Sequence, residues 1–420
     1  MAFKATKKRG PRGKGEGSIF QRKDGMWVGS VEIGFDAEGK RKQKRVYAKD
    51  YATLVTRLNE LKADLTDGIQ VDRTMTVAKW LDYWLPHIHK ERVRPTTYLD
   101  YEWTSRNIVR TIGHKRLVEL EAADIRNMTT KIGKGERRAQ KAHVLLHRAL
   151  KDAVAEGLLR RNIADAVDAP DVYENERPPF TVEQTHQVLA VAADRNAMEY
   201  ARWLMAFLTG ARQGECLGLT WDRVHPGAVD ITWQLQQWKR AHGCGNRHSD
   251  GTWPCGRKYG ARCTDPKFDV PVKTEYHPLV DSLVLSRPKS AAGKRWVPAV
   301  EELQDAFSRL REIDRGPNPY DLVFHRADGY PITPTEDNRA FNKLLADAGI
   351  DREATGLTLH SARRTAATTL RSSGADEQTR MELLGHNSPE VTRIYAHADQ
   401  ARNSTAMSAV RVLVPPKALP

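Results

Sequence analysis

The chain has 420 residues, 40% of them hydrophobic, which suits two or three cores better than one. Lys and Arg number 67 against 53 Asp and Glu, a formal charge of +14, and residues 1–50 alone hold 14 basic and 6 acidic side chains, a balance that points to a polyanionic partner such as nucleic acid. No apolar run reaches the about 18 residues of a membrane span, the N-terminus lacks the apolar stretch of a secretory signal, and four cysteines are too few for a disulfide framework, so a soluble intracellular protein is expected.

Residues 1–17 are Lys, Arg and Gly with almost nothing to bury and read as a basic disordered tail. From there to about residue 65 the pattern predicts a small α+β domain. Trp27, Gly29, Val31 and Ile33 alternate with Val28, Ser30 and Glu32 as in a strand. Arg41 to Tyr47 supplies a second strand and Ile19-Phe20 a third. Asp50 is placed to cap a helix with Leu54, Leu58 and Leu61 on one face. Lys40, Arg41, Lys42, Lys44 and Arg45 concentrate charge on one strand, which either enters a DNA groove or forms the solvated face of an antiparallel pair.

After a polar linker at 66–74 the period becomes helical. Val77, Trp80, Leu81 and Trp84 fall on one stripe, and further helices are expected at 96–112, 122–131 and 138–156, with Gly113 and Gly157 as stops. Residues 75–170 therefore predict an all-α domain. Asp168 to Phe180 is acidic and Pro-containing and reads as a boundary. Thr181 and Gln184 form a capping-box pattern opening a third, mixed domain at 176–412, and the Pro-rich end at 413–420 reads as a loose tail.

Three segments of this last domain carry chemistry. In TGARQGE (209–215) a Gly-made bend presents Arg212, whose fork can grip a phosphate, with Glu215 three residues on; a surface ion pair would look the same. In HSARRT (360–365), His360 and Arg363 are stacked three apart on one helical face, again suited to phosphate, although a single such His is more often a core residue. In LGHNSPEVTRIYAH (384–397), His386 precedes Tyr395 by nine residues, and a lone Tyr on a helix is more often buried packing.

Taken together, TGxRxGE, HxxRxTxA and LGHxSxxxTxxYxH in this order resemble the signature of the tyrosine recombinase, or phage integrase, family. The resemblance covers 176–410, extends more weakly to 75–170 as an all-α, SAM-like core-binding domain, and makes 18–65 similar to an arm-type DNA-binding domain. It implies the tyrosine recombinase fold, a mainly α catalytic domain with a small β-sheet. It also implies strand cleavage through a 3′-phosphotyrosyl intermediate, for integration or excision of a mobile element in a prokaryotic cytoplasm. Arg212 and Arg363 would clamp the scissile phosphate, His360 and His386 would hydrogen-bond it or move a proton, and Tyr395 would attack. A Lys on a β-hairpin would protonate the leaving 5′-oxygen; Lys289 is assigned, with Lys294 and Lys273 as competitors. Glu215 would buttress Arg212. Arg364 stands where many relatives have His. The implied assembly is a homotetramer on double-stranded attachment sites, with the C-terminal helix at about 399–410 docked on a neighbour and accessory proteins for excision or DNA bending. No cofactor is required for catalysis.

Residues 234–268 form an insertion containing Cys244, His248, Cys255 and Cys263, a set that either holds a structural zinc or leaves three reduced cysteines in a loop. Two rival functions share much of this pattern. A tyrosine-type topoisomerase would use the same catalytic set, and a catalytically inactive DNA-binding protein would keep the fold alone.

Overall fold

The computed structural model describes residues 18–35, 40–66, 74–133, 136–172, 178–288, 294–385 and 400–416. The basic tail at 1–17, Lys289, His386 and Tyr395 lie outside the described residues. By its contacts the chain divides into two compact units, Met1–Tyr173 and Glu174–Pro420. The first unit thus contains both the small sheet and the helical bundle, each with a core of its own.

Strands β1 (Ser18–Gln21), β2 (Trp27–Phe35) and β3 (Arg41–Ala48) form an antiparallel sheet in that order, joined after β1 by a turn in which Gly25 takes φ +82°. Helix α1 (Tyr51–Thr66) starts where the Asp50 carboxylate accepts from the Thr53 N–H at 2.7 Å; it buries Leu54 and packs Leu58 and Leu61 in one cluster with Val31 and Val46. The pleat divides the basic strand. Lys42 and Lys44 share parity with Val46, on the helix side, while Arg41, Arg45 and Tyr47 face away from α1.

The bundle comprises α2 (Val77–Trp84), α3 (Pro95–Ile112), α4 (Ala122–Gly133) and α5 (Arg137–Ala155). Apolar residues recurring at helical spacing bury Val77, Trp80, Leu81 and Trp84 completely or nearly so. Both indoles also find acceptors on α5: Trp80 Nε1 donates to the Ala149 carbonyl at 2.8 Å and Trp84 Nε1 to Asp152 at 2.6 Å.

The second unit opens with α6 (Val182–Arg195), capped reciprocally by Thr181 and Gln184, and α7 (Ala197–Thr209), every residue of which from Tyr200 onward is buried. Then follow α8 (Gln213–Leu217), β4 (Val224–His225), β5 (Ala228–Ile231), β6 (Gln234–Gln237), β7 (Arg240–His242), β8 (Pro266–Phe268), β9 (Tyr276–Pro278), β10 (Leu283–Ser286) and β11 (Arg295–Pro298). They pair as β6-β10-β9, β11-β5-β4 and β7-β8. Helices α9 (Glu301–Glu312), α10 (Pro334–Asp347), α11 (Arg352–Thr355), α12 (Leu359–Ser372), α13 (Glu377–Leu384) and α14 (Gln400–Ser408) complete the unit. A buried ion pair, Arg202 to Asp337 at 2.8 and 3.1 Å, ties α7 to α10, and Gln213 adds a third hydrogen bond to the same carboxylate.

One expectation about the C-terminus is corrected. Leu413 is fully buried rather than the start of a loose tail, and Met407 and Val410 join it in the core shared with α7 and α12 of the same chain. In the single chain the segment expected to dock on a neighbour packs these apolar side chains on its own domain. His186 and the Arg411–Glu302 ion pair fix its polar edge.

Candidate active site

Arg212 is positioned by a break between helices. Thr209 ends α7, and Gly210 takes φ +60°, the left-handed conformation that an L side chain resists. A Cβ at Gly210 would also meet Leu384 Cδ2 at 2.6 Å. Arg212 then caps α8 in extended conformation. Its own N–H and its Nη1 donate to the two oxygens of Glu215, at 2.9 and 2.7 Å. Glu215 is fully buried, whereas the Arg212 side chain stays 41% exposed.

A second arginine completes this carboxylate. Arg295 Nη2 donates to Glu215 Oε2 at 3.0 Å, and the Arg295 side chain is only 4% exposed. Sequence reasoning gives Arg295 no role. The usable signal was alternation: Arg295 shares the inward face of β11 with Val297, and an inward charge demands a partner. Burial alone would raise the Glu215 carboxyl, but the Arg295 charge and hydrogen bond, with Arg212 behind them, hold it at about 2.

Arg363 lies in the second turn of α12, 3% exposed. Its Nη1 donates to the Gly210 carbonyl at 2.8 Å and its Nη2 to the Leu384 carbonyl. Arg295 Nε donates to the Leu383 carbonyl at 2.8 Å, and Arg212 Nη2 to the Gly385 carbonyl at 3.4 Å. Three arginines from three distant segments thus converge on the consecutive carbonyls 383–385, the electronegative end of α13. Burial, then the charges of Arg212 and Arg295, push Arg363 down to about 9, with Glu215 pulling the other way. Three cations face one carboxylate, so the pocket holds an excess of positive charge that an entering phosphate would relieve.

His360 is exposed in the first turn of α12, one turn before Arg363 as its spacing implied, at a helix N-terminus that itself favours anions. Arg364 is exposed next to it. Lys294 is exposed immediately before Arg295, and Lys273 lies on an exposed turn ahead of β9. Residue 385 is the last described before the segment that carries His386 and Tyr395.

The cysteine insertion differs from expectation in one ligand. Cys244, Cys255 and Cys263 come together with His242, not His248, and the four donor atoms all lie within 4.8 Å of one another. His242 ends β7, where pairing with Pro266 draws Cys263 back beneath it. Its Nδ1 is 3.3 Å from Cys255 Sγ and 3.9 Å from Cys244 Sγ, and its ring stacks on Trp253 at 4.2 Å. His248 is carried outward by a turn closed by its own N–H to the Thr252 carbonyl, and is exposed. Burial pulls the Cys263 thiol upward, but hydrogen bonds from the Asp265 N–H and the neighbouring thiols outweigh it and bring it to about 6. The His-x-Cys spacing at the end of a strand was the available sequence signal.

The phage integrase family model matches residues 283–402, and the phage integrase N-terminal SAM-like domain model matches 76–132. An integrase of Saccharopolyspora erythraea is 29% identical over 93% of this chain and 95% of its own length. A tyrosine recombinase XerC-like protein of Caldanaerobacter subterraneus subsp. tengcongensis is 24% identical over 91% and 95%. Among solved structures, the Tn1549 transposon integrase (residues 82–397) in complex with circular intermediate DNA aligns with TM-score 0.57 at 19% identity, covering 79% of this chain and 99% of that one. A lambda integrase tetramer bound to a Holliday junction aligns with TM-score 0.52 at 15% identity, covering 90% and 98%. The structural likenesses speak for the fold: residues 76–132 and 283–402 match phage integrase domain models, and the chain is similar to integrases and a XerC-like tyrosine recombinase along nearly its whole length.

Proposed function

We propose that the protein is a site-specific DNA recombinase that integrates or excises a mobile element through a covalent protein–DNA intermediate. The observation that carries this is the convergence of Arg212, Arg295 and Arg363 on the last carbonyls before His386, with Arg212 and Arg295 sharing one buried carboxylate. In this reading Arg212 and Arg363 bind the non-bridging oxygens of the scissile phosphate, and Arg295 and Glu215 hold Arg212 in place. His360 accepts the Tyr395 proton, and His386 donates to the phosphate. The Tyr395 oxygen attacks phosphorus, the bond to the 5′-oxygen breaks, and Lys289 protonates that oxygen. A 3′-phosphotyrosine and a 5′-hydroxyl result. Lys294, one residue before Arg295, is the alternative proton donor. The charge that builds on phosphorus is met by fixed cations. The phosphotyrosyl bond conserves the energy of the broken linkage, so a 5′-hydroxyl of a second strand can reverse the step without a cofactor.

Its partner is double-stranded attachment-site DNA, bound as a homotetramer on two duplexes, a reading supported by the lambda integrase tetramer on a Holliday junction. Residues 18–65, with Arg41 and Arg45 of β3, would bind arm DNA, and 75–170 the core site. In a prokaryotic cytoplasm accessory proteins would bend that DNA or favour excision. The cysteine insertion would hold a structural Zn²⁺ on His242, Cys244, Cys255 and Cys263, three sulfurs and one nitrogen that match a closed tetrahedral site.

A nicked suicide duplex bearing the attachment site, located by footprinting, tests the catalytic reading. Denaturation-resistant adducts that vanish in Tyr395→Phe are expected. Adducts that persist in that variant would assign another nucleophile, and none in the native protein would leave a DNA-binding protein. Relaxation of supercoiled DNA lacking paired sites would favour a topoisomerase instead.

A further inference from the structure

We propose that the insertion from Lys239 to Phe268 is a second DNA-contacting element, a metal-held knuckle whose basic loop grips the sugar-phosphate backbone of duplex DNA beside the cleavage point. The proposal rests on the structural-metal reading of His242, Cys244, Cys255 and Cys263.

The first argument is charge. Residues 239–268 hold seven Lys and Arg and two Asp. Zn²⁺ with three thiolates and a neutral imidazole carries one net negative charge, so the loaded segment remains strongly cationic. Arg247, Arg257, Lys258, Arg262 and Lys267 are all exposed, and none forms an ion pair among the described residues. Elsewhere in this unit, arginines such as Arg195, Arg202, Arg326 and Arg411 are each matched to carboxylates. Unmatched cations on one short loop fit an outside polyanion. Tyr259, 60% exposed with Lys258 Nζ 5.6 Å from its ring, adds an aromatic contact of the kind that packs on sugar.

The second argument is construction. Between β7 and β8 the loop has no apolar core; its buried members are the metal-type side chains themselves, with Trp253 stacked on His242. A segment held by four donors rather than by packing serves to present a surface.

The third argument is placement. Trp238, at the root of the knuckle, packs on Phe268 and Tyr276 at 6.1 and 5.1 Å between ring centres, joining the β7–β8 pair to the β6-β10-β9 sheet. In that sheet Leu283 pairs with Gln237 at the knuckle end and Ser286 with Gln234 at the other. Beyond Ser286 the chain enters the 287–294 segment with Lys289 and returns as Arg295 into the arginine pocket. The knuckle and the start of the 287–294 segment are therefore separated by about 10 Å of one strand pair. Duplex DNA carries a charge for about every 1.7 Å of its axis, so phosphates flanking the scissile one lie within the knuckle's reach.

The test compares native protein with the combined variant Arg247→Gln, Arg257→Gln, Lys258→Gln, Arg262→Gln, as full chains, by metal analysis and by anisotropy titration of a short duplex of arbitrary sequence over a series of KCl concentrations. The expected result is unchanged zinc content with a slope of log affinity against log salt lower by about 3–4, since each lost phosphate contact removes about 0.9. Cys255→Ser should lose zinc and much of the same slope although every basic residue remains. Unchanged affinity and slope in the zinc-loaded combined variant would overturn the proposal. Unchanged DNA binding with lost tetramer formation would overturn it in favour of a protein contact. Native protein free of zinc, with the combined variant still weaker on DNA, would sink the metal reading and leave the basic surface standing.

Discussion

Arg295 and Glu215 meet at 3.0 Å, Nη2 to Oε2, although eighty positions of sequence separate them. The contact makes one buried carboxylate the shared anchor of two arginines and links β11 to the bend that carries Arg212. Removing Arg295 would leave Glu215 half-compensated inside the protein. Arg295→Leu should therefore destabilise the second unit by about 3 kcal/mol and abolish cleavage. Arg295→Lys keeps the charge but cannot span Glu215 and the Leu383 carbonyl together, so it should recover stability more fully than cleavage. Urea unfolding beside suicide-substrate kinetics reads both; equal recovery of the two would mean that Arg295 is structural only.

The same carboxylate sets an acid limit. Glu215 is held at about 2 against an ordinary 4.5. A depressed carboxyl stabilises the fold fully above its unfolded value, and that contribution disappears as pH falls from about 4.5 towards 2, on the order of 3 kcal/mol in all. Unfolding free energy measured through this window should drop in the native protein and flatten in Glu215→Gln. A variant profile parallel to the native one would reject the assignment.

Gly210 is required twice, by its φ of +60° and by the 2.6 Å that a Cβ would leave to Leu384. Gly210→Ala should cost about 1–3 kcal/mol and shift the carbonyl that receives Arg363. Cleavage is expected to fall more than DNA affinity, a split visible when adduct formation and gel-shift binding are measured on one preparation.

Metal analysis distinguishes the two histidines of the insertion. His242→Ala should lose stoichiometric zinc, whereas His248→Ala should retain it, since only His242 lies with the three cysteines. Loss of zinc from the His248 variant alone would restore the ligand set inferred from spacing.

The buried C-terminal residues give a fifth expectation. Leu413→Ala should cost about 2–5 kcal/mol, with an unfolding midpoint independent of protein concentration, because the residue packs on its own chain. A midpoint that rises with concentration would show that a neighbour supplies the contact.

Much of this was legible beforehand. Helices declared themselves through apolar stripes such as Val77, Trp80, Leu81 and Trp84, and Arg212 and Arg363 through short motifs with fixed neighbours. What escaped depended on pairing between distant segments. Strands of two to four residues, from β4 to β9, carry too few residues for a period, and their register is set by partners far along the chain. Arg295 looked like any charged hairpin residue until the sheet turned it inward. Spacing along the chain offers His248 as the fourth ligand, whereas the β7–β8 register brings His242 to the cysteines. Leu413 reads as tail because a Pro-rich stretch follows it, yet its apolar side chain is buried in the core.

The arginine side chains that would hold the phosphate also grip the backbone at residues 383–385. They would therefore act as fastener and receptor at once. Arrival of DNA would redistribute those donors between carbonyl and phosphate, so occupancy of the pocket and the hold on the end of α13 would change together. An arginine substitution would consequently be felt twice, in the grip on DNA and in the anchoring of that helix end.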